Sequence, residues 1–513
     1  MLIRTLRKLS VWAGLTILVF LPVITPFFGR TLLMHSAKPI QSMTLAVAIL
    51  VVASTLAGTV VWTFIPSRSL KDRLFVLGCA LLLPIALSDL FLLTGRLQSM
   101  PDRRLMLFGM IGCFFLLTWV RRAHVILYRR FQSGAIVLFS GLGLWAAIIL
   151  GQLVSLSLWQ PAAGSFQTIA TLPAHSSGRH GRVVWILLDE LSFQQTFGHR
   201  DAHLALPHLD ALRQQSTLYT EVSPVGETSE VVVPTLLLGQ PLRKVRYGFD
   251  NKLEIVTTDD SAWRPFSASR TIFAEARALG YRNGIVGWYN PYCSLLVGQW
   301  DSCFWTVSAG YRGMSADAGI FENIRSLAVA YTLGAVAPRT YTQWRAAADA
   351  RERRREYEAL MDHSRKLLSQ PGFDFVFIHL SVPHPPAFYD RQTKKFGPGG
   401  SYLDGLALAD LALGDLLDEV ESSSQWLQTS VVICGDHSFR VLLYKPMRFW
   451  AAEDERATNG VFDPRPLLLI HRAGQQSPET VNTPTPLMVV HAVVGEMLRT
   501  NFRTSARVRD PAH

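Results

Sequence analysis

The first third of the chain is the strongest constraint on what it can become. Residues 1 to about 157 hold five long apolar stretches, running roughly 9–28, 43–64, 74–95, 105–120 and 134–157. Within a bilayer no water pairs with backbone N–H and C=O groups, so such stretches are confined to helices. About 20 apolar residues cross the hydrocarbon layer; the fourth stretch is the shortest of the five. The first is too long, and too closely followed by others, for a cleaved signal peptide, and no small-residue cleavage site follows it. The expectation is a five-helix transmembrane bundle over 1–157.

Basic residues set the orientation. Arg4, Arg7 and Lys8 precede the first stretch, Arg68, Lys71 and Arg73 follow the second, and Arg121, Arg122, Arg129 and Arg130 follow the fourth. The alternate loops carry only Arg30 and Lys38, then Arg96, Arg103 and Arg104. The richer set belongs in the cytoplasm. Five spans then carry the rest of the chain to the far side, which for a bacterial chain is the periplasm or the outer surface. The expected location is the bacterial inner (cytoplasmic) membrane, multi-pass. The net charge of +11 comes partly from those loops; the remainder suits anionic lipid or phosphate groups. No nucleic-acid module is visible, and the location argues against a nucleic-acid partner.

Residues 158–182, with Pro161, Gly164, Pro173 and Gly178, read as a linker. Residues 183–513 have ordinary globular composition and read as one catalytic domain. Helical spacing over Thr271–Leu279, 340–369, 402–421 and 485–499 alternates with apolar runs at 285–288, 375–380 and 466–470. That alternation predicts an α/β domain with a mostly parallel central sheet between helices. The basic run Arg351–Arg355 reads as a solvated helix face. Of the five cysteines, Cys79 and Cys113 fall in apolar stretches and Cys434 in a strand, as packing residues. Cys293 and Cys303 lie ten positions apart, and an oxidising compartment permits a disulfide between them; a free buried pair is the alternative.

Two apolar runs stop abruptly at metal-ligand residues. Val183–Leu188 ends in Asp189-Glu190, and Val431–Gly435 ends in Asp436-His437. Continuous apolar runs read as buried parallel strands, and ligands gather beyond the carboxyl ends of such strands. Asp189, Glu190, Asp436 and His437 therefore form a candidate site for one divalent ion. Between them, Gly226-Glu227-Thr228-Ser229-Glu230 leads into Val231–Gly239. A hydroxyl at a helix start is placed for nucleophilic work on a phosphoryl group; the alternative is that Thr228 or Ser229 only caps the helix.

The order of these parts, with Pro383-His384-Pro385 before the Asp-His pair, resembles the alkaline-phosphatase/sulfatase superfamily over roughly 180–500. With the membrane front end, it resembles the transferases that move phosphoethanolamine or phosphoglycerol onto envelope glycans, lipoteichoic-acid synthase among them. The resemblance implies Asp189, Asp436 and His437, with Glu190 assisting, as ligands of one divalent metal ion, Zn2+ or Mn2+. It implies His384 as a group contacting substrate or leaving group. The nucleophile stays open by one residue: Gly-Glu-Thr-Ser-Glu favours Thr228, as does the threonine that transferases of this kind use, whereas counting back from Pro234 and Gly239 favours Ser229; the resemblance thus leans to Thr228. The implied partners are the membrane, a phospholipid donor and a glycan or glycolipid acceptor. Glu230-Val231-Val232-Val233 lacks the x-Pro-x-Arg that formylglycine formation needs. Ser438 stands where many members have Gly, and no Asp-x-x-x-His stands near 380 for a second metal. Trp288, Tyr289, Tyr292, Trp300 and Trp305 either face a sugar or lipid or pack the core. Two other functions fit the same residues: a membrane-anchored hydrolase of phosphate or sulfate esters, and a catalytically dead binding relative.

Overall fold

The structure, a computed structural model, describes residues 2–28, 39–93, 103–158, 181–247, 252–307, 313–370, 372–422 and 425–509. These form two compact units, one built from the amino-terminal helices together with Met314–Ala330, the other from the rest of the carboxyl-terminal part. The expected linker lies almost wholly outside the described residues.

In the first unit, five helices form: Leu2–Ile24, Gln41–Phe64, Arg68–Leu93, Arg103–Ala123 and Val125–Ser157. Four segments among the described residues are long and apolar enough to cross a membrane: Thr5–Phe28, Gln41–Phe64, Arg104–Ala123 and Val125–Ser157. The expectation of five spans is thus met by four; Arg68–Leu93 is helical but is not one of them. Large apolar side chains such as Phe64, Phe108 and Leu144 stand exposed on these helices, as lipid-facing positions require. Met314–Ala330 was not foreseen here; Asn323, in the helix Ile320–Val336, donates from Nδ2 to Ser42 Oγ at 3.2 Å.

The second unit centres on an eight-stranded sheet. Its strands are β1 (Arg182–Leu188), β2 (Thr217–Tyr219), β3 (Asn283–Trp288), β4 (Ser302–Thr306), β5 (Phe375–Leu380), β6 (Thr429–Gly435), β7 (Leu468–His471) and β8 (Glu479–Val481). They lie in the order β8-β2-β7-β6-β1-β5-β3-β4. The run β6-β1-β5-β3-β4 is parallel throughout, and β7 is antiparallel to both its neighbours.

Both sheet faces are covered, which is why β1, β5 and β6 read as unbroken apolar runs. Val184, Ile186 and Leu188 face a core shared with Leu406, Leu413 and Leu360, from the helices Tyr402–Glu421 and Pro338–Leu368. Val183, Trp185 and Leu187 face the opposite core, with Val233, Leu236 and Val494 from the helices Ser229–Leu238 and Val489–Arg509. Ser401 fixes the start of Tyr402–Glu421: its backbone N–H donates to Asp404 Oδ2 at 2.8 Å, and its Oγ accepts from Asp404 N. Cys434 is a buried thiol pushed up to about 12 by burial. Cys293 and Cys303 form a disulfide.

Candidate active site

Strand register brings the acid tips together. Leu188 pairs with both Gly435 and Leu380, so β1, β5 and β6 end level. Asp189 and Asp436 therefore leave the sheet side by side. Gly435 is needed for this closeness, because a Cβ there would lie 2.4 Å from the carbonyl oxygen of Leu191.

Ser229, the first residue of its helix, completes the group. Its hydroxyl lies 2.6 Å from Asp436 Oδ2, to which it donates, and 3.2 Å from Asp189 Oδ2. Thr228, one residue earlier, is exposed and makes no capping bond through its side chain. Of the two adjacent hydroxyls, the fold seats Ser229 against the carboxylates. Asp436 Oδ1 accepts the backbone N–H groups of Glu190, at 2.9 Å, and His437, at 2.8 Å.

Asp189, Asp436 and His437 each offer an atom within 4.8 Å of the others'. His437 Nε2 stands 3.3 Å from Asp436 Oδ2 and 3.8 Å from Asp189 Oδ1. Asp189 Oδ1 and His437 Nε2 are buried and have no hydrogen-bond partner among the described residues. Burial pushes the Asp189 carboxyl well above its ordinary value, and Asp436 and Glu190 add to the push. Burial works against the Asp436 charge too, but His437, His379, the Ser229 hydroxyl and the Glu190 amide outweigh it and hold Asp436 low. Orphaned donors facing one another at these spacings fit a divalent cation: ligands about 2.0–2.3 Å from one ion stand about 3–4 Å apart.

Glu190 adjoins this cluster but is held differently. Its φ of 65° is left-handed, a region that costs a non-glycine residue about 1–3 kcal/mol and gathers at functional sites. Its N–H is held by Asp436, and its carbonyl oxygen accepts Tyr402 Oη at 2.6 Å. Arg440 and Tyr444 both donate to Glu190 Oε1, Tyr444 at 2.6 Å, while Oε2 is a buried orphan. Three carboxylates thus meet with one paired arginine, which leaves about the charge that one divalent ion would offset.

His384 stands beside Glu190. Its Nε2 is 3.4 Å from Arg440 Nη2 and 3.5 Å from Tyr444 Oη, and Asp189, Glu190 and His384 form a second close group of possible ligands. Burial, with Arg353 and Arg440 nearby, holds its imidazole well below the ordinary value, so it is a neutral hydrogen-bonding group. Arg353 donates to the His384 carbonyl oxygen at 2.6 Å. The expected solvated face therefore holds for the exposed Arg351, Arg354 and Arg355 but not for Arg353.

The match to known proteins follows this geometry. The family model described as "Sulfatase" matches residues 182–462, more than half of the 513-residue chain. The chain belongs to the sulfatase family. This sulfatase-family protein is an enzyme of sulfatase or phosphoesterase type; members of the superfamily bind a divalent metal ion, and the acid-histidine cluster fits one. Its amino-terminal helices fit a membrane-anchored member. Among solved structures, it is similar to a phosphonate monoester hydrolase of Agrobacterium radiobacter at 14% identity, with 62% of this chain and 74% of that one covered and a TM-score of 0.39. A protein in the alkaline phosphatase superfamily from Vibrio parahaemolyticus gives 16% identity, 63% and 67% coverage and a TM-score of 0.36. The PsFucS1 sulfatase from Pseudoalteromonas sp. gives 13%, 63%, 68% and 0.42. No curated protein matches the chain.

Several site residues escaped the sequence reading. His379, the last residue but one of β5, is fully buried, its Nδ1 2.6 Å from Tyr292 Oη and its orphaned Nε2 4.0 Å from Asp189 Oδ2. A polar residue inside an apolar strand run was the available signal. Burial lowers its imidazole to about 4. Arg440 and Tyr444, just beyond the Asp-His pair, carried no comparable signal. Of the five candidate surface aromatics, Trp288, Tyr292 and Trp305 are core, and Tyr289 and Trp300 are half-buried against it.

Proposed function

We propose that this sulfatase-family protein transfers a phospho head group, phosphoethanolamine or phosphoglycerol, from a phospholipid to an envelope glycan or lipid. The carrying observation is Ser229 Oγ, within hydrogen-bond reach of Asp436 and Asp189 where both carboxylates end parallel strands. Ser229 is the proposed nucleophile, and Thr228 a neighbour outside the reaction. Zn2+ or Mn2+, held by Asp189, Asp436 and His437, would acidify the serine hydroxyl and offset charge on the phosphoryl group.

The chain's own groups carry the rest. The Ser229 proton has two carboxylate acceptors in reach, Asp436 and Asp189. A bond forms from Ser229 Oγ to phosphorus, the bond from phosphorus to the diacylglycerol oxygen breaks, and that oxygen takes a proton. An acceptor hydroxyl then attacks phosphorus, and Ser229 Oγ leaves. The helix beginning at Ser229 presents its positive end to the phosphoryl oxygens. Arg440 and neutral His384, beside Glu190, would stabilise the same oxygens. The missing formylglycine pattern after Ser229 favours phosphate over sulfate esters.

The topology that goes with this reading is five spans in a bacterial inner membrane with the catalytic domain periplasmic or extracellular. The Cys293–Cys303 disulfide supports it, since such bonds persist in oxidising compartments. Tethering at the bilayer reduces the entropic cost of meeting a lipid donor. The test is incubation with phosphatidylethanolamine and phosphatidylglycerol labelled in the head group. A trapped phospho-ester on Ser229 is expected. No adduct from either lipid, with simple phosphate or sulfate esters still hydrolysed, would make the protein a hydrolase instead.

A further inference from the structure

The segment after the Asp-His pair has two contrasting faces. Arg440 and Tyr444 turn inward to Glu190. Between them, on the one-turn helix Val441–Tyr444, Leu442 and Leu443 turn outward and are 72% and 46% exposed. Met447 follows, exposed. Three large apolar side chains exposed on one short segment are more than the scattered single exposures of an ordinary surface.

Charge indicates what covers them. Residues 437–450 carry Arg440, Lys445 and Arg448 and no carboxylate. Lys445 pairs with Glu455 at 2.7 Å, but Arg448 meets only the Thr342 hydroxyl, at 3.3 Å, among the described residues. Apolar side chains beside cations, with half-buried Phe449 and Trp450 behind them, make the composition of a surface that inserts among acyl chains and holds phosphates at the headgroup level.

We propose that the rim formed by Leu442, Leu443 and Met447 docks the acyl chains of a diacyl phospholipid in the bilayer, with Arg448 at the headgroup level. This rests on the lipid-donor reading of the site and deepens it. The same short segment would hold the lipid's tails outside and, through Arg440, its phosphate inside.

Two measurements on the full-length protein in phosphatidylethanolamine–phosphatidylglycerol vesicles test it. In the first, a benzophenone amino acid replaces Leu442 or, as control, Leu427, which is 68% exposed just before the amino end of β6. Photolysis is expected to attach lipid at 442 and not at 427; equal labelling, or none at 442, overturns the proposal. In the second, Leu442→Asp with Leu443→Asp is expected to slow turnover of vesicle-borne donor about tenfold or more, while a soluble dihexanoyl donor stays within about twofold. An equal loss on both donors would also overturn it. Should the wild type turn over neither lipid, the donor reading fails, and the photolabelling still decides whether the rim binds acyl chains.

Discussion

The two halves of the site solve one problem in opposite ways. Each buries carboxylate among apolar neighbours, where an unpaired charge is expensive. On the Glu190 side the counter-charge is built in: Arg440 pairs with Glu190 Oε1 and Tyr444 adds a hydrogen bond. On the Asp189 side no arginine or lysine among the described residues pairs with the carboxylate: Asp189 Oδ1 and His437 Nε2 stand 3.8 Å apart, neither with a hydrogen-bond partner there. A permanent cation suits a group that must stay fixed. A site left without one is where an exchangeable cation and a reacting phosphoryl group would have room.

The largest effect should separate two adjacent hydroxyls. Ser229→Ala is expected to abolish the phospho-adduct and lower turnover by roughly 10³-fold or more, as loss of a nucleophile does. Thr228→Ala should stay within a few-fold of wild type. If Thr228→Ala removed the adduct and Ser229→Ala did not, the serine's place between the carboxylates would be incidental.

Opposite signs of stability would sharpen the contrast between the halves. In chelator, Glu190→Gln is expected to destabilise the protein by about 3 kcal/mol, because Arg440 is left half-buried without its partner. Asp189→Asn should do the reverse: at a pH above the raised Asp189 value, where that carboxyl is ionised in the wild type, it should stabilise the chelated protein by about 1–2 kcal/mol by removing one of three clustered like charges. Denaturant melts of both variants read the signs directly; two losses of equal size would erase the distinction.

Metal and pH give a smaller test of the Asp189 half. A divalent ion at about 100 times its dissociation constant should stabilise the wild type by about 2.7 kcal/mol, and much less after Asp436→Asn. In chelator, the Asp189 carboxyl keeps its proton to higher pH in the folded state than in the unfolded chain. Its contribution to stability is therefore present below the ordinary carboxylate value and lost as pH rises through the raised one. Wild-type stability should fall over that window in chelator, and the slope should flatten in Asp189→Asn.

The halves also differed in how far the sequence disclosed them. Asp189 and Asp436-His437 stood out because hard ligands ended apolar runs, and register then did what parallel pairing requires. Helix Tyr402–Glu421 was legible from its leucine spacing. Glu190 was visible as an acid, but its left-handed backbone and its arginine were not. Its contacts with Arg440 and Tyr444 span about 250 residues of chain and obey no local period. The choice between Thr228 and Ser229 also lay beyond sequence, because a helix start fixes which residue points at the sheet only once the helix is packed. The fifth span stays part of the proposal: Arg68–Leu93 forms as a helix, yet length and hydropathy over its described residues do not single it out as the other four are.

The smallest expected effect is at Tyr444. Its hydroxyl donates to Glu190 Oε1 at 2.6 Å and stands 3.5 Å from His384 Nε2, while Arg440 Nη2 donates to it at 2.8 Å. Tyr444→Phe keeps the ring and its stacking on Phe439 and removes only this oxygen. Two charge-assisted hydrogen bonds are lost, the one to Glu190 and the one from Arg440, each worth about 1.5–3 kcal/mol. Arg440 still pairs with Glu190, so the low end of that range is expected in a melt. Turnover should fall only a few-fold, since Ser229 and its two carboxylates are untouched. If Tyr444→Phe matched Glu190→Gln in stability loss, the tyrosine rather than the arginine would be holding the Glu190 charge, and the built-in cation would not be what distinguishes this half of the site.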